Sequence, residues 1–590
     1  MAKERKDCFL GIHFDFHAMP GEVVAYQFDP DSYREMLDRV KPDFMQFDTK
    51  GHAGLSSYPT KAGTQATGIE QDVLRFLREE TRKRNIALFG HHSGLLDQAA
   101  LAEHPDWALI NENGLADEYF VSPFSPYVDE RLIPQLMELA IDYELDGAWI
   151  DGECIGSRVD YSVWAQDAYG KPAPRKGEDG YLAYREFCRQ GFRDYVTHYI
   201  QQIKKVRPDF QITSNWIFAP QMPEMPTVPV DYLSGDYNCS NAMVSGRRNG
   251  RYLAARGITW DLMSWGQHAI PFTWLTHNRT TKGLAQYQQE GSYVIALGGG
   301  YQFFNIAYCC GGYLQRWALP IWEKAAAFYR ERQICHQAKP WSNIALVAPF
   351  EKKDDGEAVL YAQTAATQAM FSWLDALCEI QLSPNIIFES ELDRTDLSQY
   401  DLIILPSPAK LPSSYAGKVI ADGDVNARKQ LLWISDGHSL AAMDVPACAG
   451  EGRPFGECFT RNYFECDSES VPSAYEKDGH YQLAFHFGSA YRDNVTPTIR
   501  NWLRRLIADT GVELPVKVTG SGAVEVITTR KGNDLLVNLI NLCGDHRRAE
   551  VRAFDEIPPL YHITVQVGDE IRAIEKLDIH EVLVFENYFA

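Results

Sequence analysis

The chain has 590 residues and a formal net charge of −22. That length is too great for one hydrophobic core, so we expect about two to four domains. The acidic balance argues against nucleic acid or an anionic membrane as a partner, because both require a basic face. The 12 cysteines are scattered and show neither a disulfide framework nor paired zinc-binding spacing.

The amino-terminal stretch MAKERKDCFLGIHF carries charges but no sustained apolar run before the first predicted strand. We therefore expect neither a secretory signal nor a membrane-spanning segment. Scattered cysteines fit a reducing compartment, so the predicted location is cytoplasmic.

Up to about residue 340, short β-like runs alternate with helix-like runs. The predicted strands are FLGIHFDF, FMQFDTK, IALFGHH, GAWIDG, QITSNWI, VDYLSGD, ITWDLMSWG and YQFFNIAY. The first predicted helix, DPDSYREMLDRV, has Asp29 or Asp31 near its cap. Such alternation implies parallel βαβ units, and eight repeats predict a TIM-like (β/α)8 barrel over residues 1–340. No glycine-rich phosphate-binding motif follows an early strand, so a nucleotide-binding sheet has no support.

Two smaller domains are predicted after the barrel. Residues 341–514 contain IALVAPF, IQLSPNIIF, DLIILPS and QLLWISDG, which predict a Rossmann-like parallel α/β domain. The runs LIILP and LLWIS suggest strands buried on both faces, and the Gly-, Pro- and charge-rich residues 442–490 are expected to wrap around this domain. Residues 515–590 are β-rich, with a hairpin turn at KGND, and predict a small antiparallel β-sandwich.

In a barrel, the carboxyl ends of the strands carry the functional side chains. The polar and aromatic residues at the predicted ends are His13, Asp15, His17, Asp48, Lys50, His52, His91, His92, Asp151, Glu153, Asn215, Trp216, Asp236, Asp261, Trp265 and Asn305. Glycoside hydrolysis uses this mixture of two carboxyl groups, hydroxyl-binding donors and aromatic platforms. A histidine cluster is also a candidate metal site.

Four motifs resemble the family 29 α-L-fucosidases in order and spacing. GIHFDFHAMPG resembles the opening signature of that family, with His13 in the place of its sugar-binding histidine. FDTKGHAGLSSYPTK resembles the next segment: Lys50 and His52 match, but Gly51 and Ala53 stand where a His and an Asp are usual. IALFGHHSG and GAWIDG resemble the third and fourth segments. The resemblance covers residues 8 to 156 and implies that Asp151 is the nucleophile.

Other parts of the chain resemble further glycosidase families. The middle domain resembles the trimerisation domain of family 42 β-galactosidases, and the three-domain layout is similar to that of family 151 α-L-fucosidases. These resemblances imply a homo-oligomer, either a dimer or a trimer. They also imply metal-free hydrolysis of an oligosaccharide or glycoside without a cofactor.

The predicted function is therefore a retaining exo-glycosidase that hydrolyses a terminal α-L-fucoside or a similar sugar through a glycosyl-enzyme on Asp151. For the acid/base we favour Asp236, because Gly235 precedes it at a strand end; Asp261, Glu224 and Glu153 are the other candidates. The predicted substrate-binding residues are His13, Asp48, Lys50, His52, His92, Trp216 and Trp265.

Two alternatives remain open from the sequence. One is a hydrolase similar to family 42 β-galactosidases, with Glu153 and Asp261 as the carboxylate pair. The other is a non-catalytic sugar-binding protein, which the departures at Gly51 and Ala53 would allow.

Overall fold

The computed structural model describes residues 3–153, 158–215, 227–237, 242–269, 279–305, 309–349, 365–460, 469–544 and 556–590. The described residues form two compact units, one up to residue 337 and the other from residue 338 onward. No helix among the described residues is long and apolar enough to cross a membrane.

The first unit is a nearly closed barrel of parallel strands, as the sequence predicts. Its eight described strands are β1 Leu10–Phe14, β2 Phe44–Lys50, β3 Ala87–Ser93, β4 Gly147–Asp151, β5 Gln211–Ser214, β6 Leu233–Tyr237, β7 Trp260–Trp265 and β8 Gly300–Asn305. They pair in the order β6-β7-β8-β1-β2-β3-β4-β5. Between β5 and β6 the contact is irregular: Asp231 N donates to Ile212 O at 2.9 Å.

Helices alternate with the strands, which are buried on both faces as in other parallel sheets. The principal helices are α1 Pro30–Val40, α2 Val73–Lys83, α3 Ile133–Ile141, α4 Tyr181–Val206, α5 Ala242–Ala254, α6 Leu284–Ala296 and α7 Leu319–Arg330. Helix α1 begins because the Asp29 side chain accepts from Asp31 N and Pro30 presets the first helical φ, so the predicted cap is at Asp29.

The sequence did not predict the excursion between β3 and α3. It contains a short helix, Gln98–Glu103, and the antiparallel strands Ala108–Ile110 and Ala116–Val121. A π-helical turn over Val128–Leu132 then leads into α3.

A buried arginine closes the amino end of the barrel. The Arg5 guanidinium lies 3.5 Å from the ring centroid of Phe44 and 4.6 Å from that of Tyr232, and it pairs with Asp261 at 2.8 Å. These aromatic residues lie at or just before the amino ends of their strands. Arg5 therefore fills the amino end of the barrel, opposite the carboxyl ends of the strands.

The second unit begins with the expected parallel sheet. Its parallel strands, in spatial order, are β10 Asn385–Phe388, β9 Ile344–Ala348, β11 Leu402–Leu405, β12 Lys418–Ala421 and β19 His480–Leu483. The helices of this region are α8 Ala365–Glu379, α9 Phe487–Asp493 and α10 Pro497–Asp509.

Two expectations for this region were wrong. The run QLLWIS lies in β13, Lys429–Ser435, which is antiparallel to its neighbours. Its first three residues are exposed and burial alternates from Leu432 onward, so the strand is not buried on both faces. Residues 442–490 also do not simply wrap around the sheet. Their described part contains β14 Leu440–Pro446, β15 Arg453–Phe455, β16 Glu457–Phe459, β17 Ser470–Val471 and β18 Ala474–Lys477. Cross-strand pairing in antiparallel ribbons overrides their Gly- and Pro-rich composition.

The carboxyl-terminal strands form two antiparallel sheets, as expected. They are β20 Val516–Thr519, β21 Val524–Lys531, β22 Asp534–Asn541, β23 Leu560–Val567, β24 Glu570–Leu577 and β25 His580–Phe585. A shared apolar core includes Val526, Val537 and Val565. The short strand Lys339–Pro340 extends one of these sheets by pairing with β21. The three-domain boundaries at 340 and 514 stay a prediction.

Candidate active site

Side chains from the first four strands and the loops that follow them converge at the carboxyl end of the barrel. We call these residues the mouth cluster: His13, Asp15, His17, Asp48, His52, His91 and Asp151. Strands β1 to β4 are neighbours in the sheet, so their carboxyl ends meet at one side of the barrel mouth.

Asp48 is the centre of the cluster. Its carboxylate is buried, accepts from His13 Nε2 at 2.7 Å and from Phe16 N at 2.9 Å, and lies 2.5 Å from His91 Nδ1. Burial acts to raise the pKa of Asp48, but the facing histidines outweigh it and hold the pKa well below its usual range. Asp48 is therefore ionised at neutral pH.

The pKa values of His13 and His91 are shifted in opposite directions by their surroundings. Burial lowers the pKa of His13 to about 4 despite the nearby Asp48, so this ring is neutral. Burial would also lower the pKa of His91, but the charges of Asp48 and Asp151 raise it to about 9. The His91 ring, stacked on Trp149 at 4.5 Å, therefore places a positive charge between two carboxylates.

Asp151 ends β4, where the chain turns out of the barrel at Gly152 with a positive φ of 71°. Its Oδ1 accepts from Gly152 N at 2.7 Å and from Asn215 Nδ2 at 2.5 Å. Its Oδ2 faces His52 Nε2 and His91 Nε2, each at 3.4 Å. Burial opposes ionisation, but the surrounding histidines lower the pKa of Asp151, which is thus a carboxylate at neutral pH.

A second carboxyl group lies at the end of β6. Asp236 is partly buried, and its Oδ2 accepts from Trp265 Nε1 at 2.7 Å. Burial and the charge of Asp151 raise the pKa of Asp236 to about 6 against the effect of the Trp265 hydrogen bond. The predicted pair Asp151 and Asp236 thus includes one group that is ionised at neutral pH and one group that titrates near pH 6.

Two other candidate carboxyl groups do not open on the mouth. Asp261 lies near the amino end of β7, in the buried ion pair with Arg5. Glu153 is fully buried, and its Oε2 accepts from Ser214 Oγ at 2.5 Å and from Tyr199 OH at 3.1 Å. Burial raises the pKa of Glu153 to about 8. Both carboxyl groups of the alternative pair are therefore buried among the described residues.

Lys50 and His92 also lie away from the mouth cluster, contrary to their predicted placement. Lys50 Nζ donates to Asp97 at 2.9 Å, to Tyr127 OH at 2.8 Å and to Gln135 at 3.2 Å. His92 Nε2 lies 3.1 Å from the same Gln135 oxygen. We call these five residues the rear cluster. They face the helix layer because the side chains of a strand alternate between its two faces, and a register irregularity follows Asp48 in β2.

Strand alternation would have favoured His91, which lies at a predicted strand end but is not among the predicted substrate-binding residues. In β3, Phe89 faces the barrel core and His91 follows two positions later on the same face. His92 therefore had to face the opposite side. Trp149, which stacks on His91, was also missed. The predicted residues Trp216 and Glu224 lie outside the described residues.

The first part of the chain is similar to α-L-fucosidases in sequence. Residues 2–222, just over a third of the chain, match the family model described as Alpha-L-fucosidase. The tissue alpha-L-fucosidases of Mus musculus and Homo sapiens are each 26% identical over 144 residues. That stretch is 24% of this chain and 29% and 28% of theirs, so the chain spans under a third of the length of these curated relatives.

Solved structures resemble this chain along nearly its whole length. Alpha-L-fucosidase isoenzyme 2 from Paenibacillus thiaminolyticus has a TM-score of 0.80 at 16% identity, covering 98% of this chain and 99% of that chain. The beta-galactosidase from Rahnella sp. R3 has a TM-score of 0.65 at 12% identity, covering 98% of each chain. The Bacillus circulans sp. alkalophilus beta-galactosidase reaches 0.62 at 12% identity, covering 99% of this chain and 100% of that chain. The predicted resemblances are confirmed, and at these identities the structural likeness shows a shared fold.

Proposed function

We propose that this protein is a retaining exo-glycosidase that hydrolyses a terminal α-L-fucoside or a similar sugar. The observation that carries the proposal is the ionised Asp151 at the carboxyl end of β4, among histidines of strands that the α-L-fucosidase family model matches. Active sites of (β/α)8 barrels lie at this end. The carboxylate has one oxygen held by hydrogen bonds and the other facing the mouth cluster.

The mechanism is a double displacement. Asp151 Oδ2 attacks the anomeric carbon while Asp236 gives its proton to the departing glycosidic oxygen, which leaves a glycosyl-enzyme on Asp151. Asp236, now ionised, takes a proton from water, and the resulting attack releases the sugar. The different surroundings of the two carboxyl groups suit these roles, because an acid needs a raised pKa and a nucleophile a lowered one.

Neighbouring residues support Asp151 in this proposal. Asn215 and the Gly152 amide hold Oδ1 and so fix the direction in which Oδ2 points. The charged His91 keeps the carboxylate ionised without hydrogen bonding tightly to Oδ2, at 3.4 Å. His13, Asp48 and His52 are proposed to contact sugar hydroxyl groups, with Trp265 as the aromatic side chain beside the acid.

The substitutions at Gly51 and Ala53 leave galactose-like and arabinose-like sugars as related substrates within this proposal. The resemblance of the middle region to a trimerisation domain supports a homo-oligomer, either a dimer or a trimer. A cytoplasmic location, inferred from the sequence, also belongs to the proposal.

The proposal is tested by Asp151→Asn, assayed on aryl α-L-fucoside, β-galactoside and α-L-arabinoside. We expect the wild type to cleave the fucoside best. The variant should lose at least about 10³-fold in kcat, because the amide is a far weaker nucleophile. Circular dichroism should show an unchanged fold. The exposed Asp142, changed to Asn, is the matched control and should retain activity.

Substantial residual turnover in Asp151→Asn would remove Asp151 from the nucleophile role. If no aryl glycoside were hydrolysed while calorimetry detected sugar binding, the non-catalytic alternative would replace the proposed function.

A further inference from the structure

The free oxygen of Asp151 has an unusual environment. His52 Nε2 and His91 Nε2 both lie 3.4 Å from Asp151 Oδ2. Those distances exceed the roughly 2.7–3.2 Å of ordinary N–H···O hydrogen bonds. They match the edge of a tetrahedron around a zinc ion, which is about 3.4 Å for metal–ligand bonds of about 2.0–2.1 Å. Each imidazole therefore already has the spacing from Asp151 that two ligands of one metal ion would have.

The two imidazole rings are also held in the manner typical of metal-binding histidines. His91 Nδ1 lies 2.5 Å from the Asp48 carboxylate, and His52 Nδ1 lies 2.9 Å from Ser93 Oγ. Metal-binding histidines almost always direct their other ring nitrogen at a carboxylate, a carbonyl or another polar partner, which fixes the ring orientation. In both rings this leaves Nε2 directed at Asp151.

A third imidazole completes the set. The His17 ring lies 5.2 Å from the ring centroids of both His52 and His91, and donor atoms of His17, His91 and Asp151 all lie within 4.8 Å of one another. His17 Nε2 is a buried atom with no hydrogen-bond partner among the described residues. That atom lies 3.7 Å from Asp48 Oδ2 and would break no hydrogen bond in turning toward a metal ion.

We propose that the mouth cluster binds one divalent transition-metal ion of the zinc type through His17, His91 and Asp151, with a movement of His52 bringing the fourth ligand. The ion displaces the proton that His91 Nε2 carries when this ring is charged. Three imidazole nitrogens and one carboxylate favour zinc, copper or nickel over magnesium or calcium, which prefer oxygen. The ion inhibits the enzyme, since it occupies the oxygen of Asp151 that attacks the sugar. This second statement rests on the proposed function; the binding itself does not.

The experiment is calorimetric titration of the full chain, without a polyhistidine tag and after chelator treatment, with zinc chloride and then with magnesium chloride. We expect one zinc ion per chain and no comparable magnesium binding. His52→Ala should weaken zinc binding at least tenfold, because loss of even an outer partner costs about 10- to 100-fold. The His52 side chain is 42% exposed, so this variant should keep its fold. His562→Ala, at an exposed histidine of the second unit, is the matched control and should bind zinc as the wild type does.

Equal zinc affinity in the wild type and His52→Ala, or no stoichiometric zinc binding by the wild type, would overturn the metal site. For the inhibitory statement, zinc should raise the apparent KM for the aryl α-L-fucoside and be reversed by chelator. Zinc binding without any effect on hydrolysis would overturn that statement. If no aryl glycoside were cleaved, the proposed function would fail while calorimetry still decided the metal site.

Discussion

The mouth cluster and the rear cluster share the strands β2 and β3 and yet have opposite characters. Asp48 and His91 face the barrel interior, where the mouth cluster opens toward the end of the strands. Lys50 and His92 face the helix layer, where Tyr127 and Gln135 enclose them. The difference teaches that one residue further along β3, or one register irregularity in β2, exchanges a candidate substrate contact for a structural one.

The two clusters also differ in the solvent exposure of their side chains. Every titratable side chain of the rear cluster is almost fully buried, whereas His17, His52 and Asp151 in the mouth cluster retain exposed side-chain surface. The Asp97 carboxylate of the rear cluster also caps the helix Gln98–Glu103 by accepting from Ala100 N at 2.9 Å. We therefore expect changes in the mouth cluster to alter activity, and changes in the rear cluster to alter stability.

The largest effect is expected beside the mouth cluster, at the proposed acid. Asp236→Asn should lower kcat on the aryl α-L-fucoside by about 10²- to 10⁴-fold, because proton donation to the leaving oxygen is lost. The loss should be much smaller for a leaving group that departs without protonation. Steady-state kinetics on a series of aryl leaving groups measures both.

The pH profile supplies the control for Asp236. A general acid must carry its proton, so wild-type kcat/KM should fall as the pH rises through about 6, the raised pKa of Asp236. That alkaline limb should disappear in Asp236→Asn. Its persistence would assign the proton to another group.

The next effect is on stability and tests the rear cluster. Lys50→Met removes the positive partner of the buried Asp97 and should lower the free energy of unfolding of the barrel by about 3–5 kcal/mol. Urea denaturation followed by tryptophan fluorescence measures the change. Activity per folded molecule should stay close to that of the wild type. A large loss of activity with unchanged stability would instead support the predicted role of Lys50 in substrate binding.

The smallest effect is expected from His91 and His92. These two histidines are adjacent in β3 and belong to different clusters, so they test the comparison most directly. His91→Gln should lower kcat/KM by about 10- to 100-fold, because a charged partner of Asp151 is lost. His92→Gln should leave kcat/KM of the folded protein nearly unchanged and lower the unfolding midpoint. Equal losses of activity in the two variants would show that strand face does not separate the clusters.

Much of the barrel was predictable because its signals are local. The eight strands carry continuous apolar runs between helix-like segments, and all eight form where the sequence places them. The position of Asp151 at a strand end was also predictable, since a carboxylate followed by glycine after the apolar run GAWI marks the end of a strand. The antiparallel pairing in the described part of residues 429–477 was not predictable, because it joins the apolar run QLLWIS to segments whose own composition is that of loops.

The sequence by itself determined the alternation of strands and helices, the end of each strand, and therefore the list of side chains near the barrel mouth. Only the tertiary structure decided which of them meet. Strand alternation places His91 in the mouth cluster and His92 in the rear cluster. The register irregularity in β2 turns Lys50 toward the helix layer, and Arg5 pairs with Asp261 at the opposite end of the barrel. The pKa values of Asp151 and Asp236 diverge for the same reason, since burial and neighbouring charge depend on residues far apart in the chain.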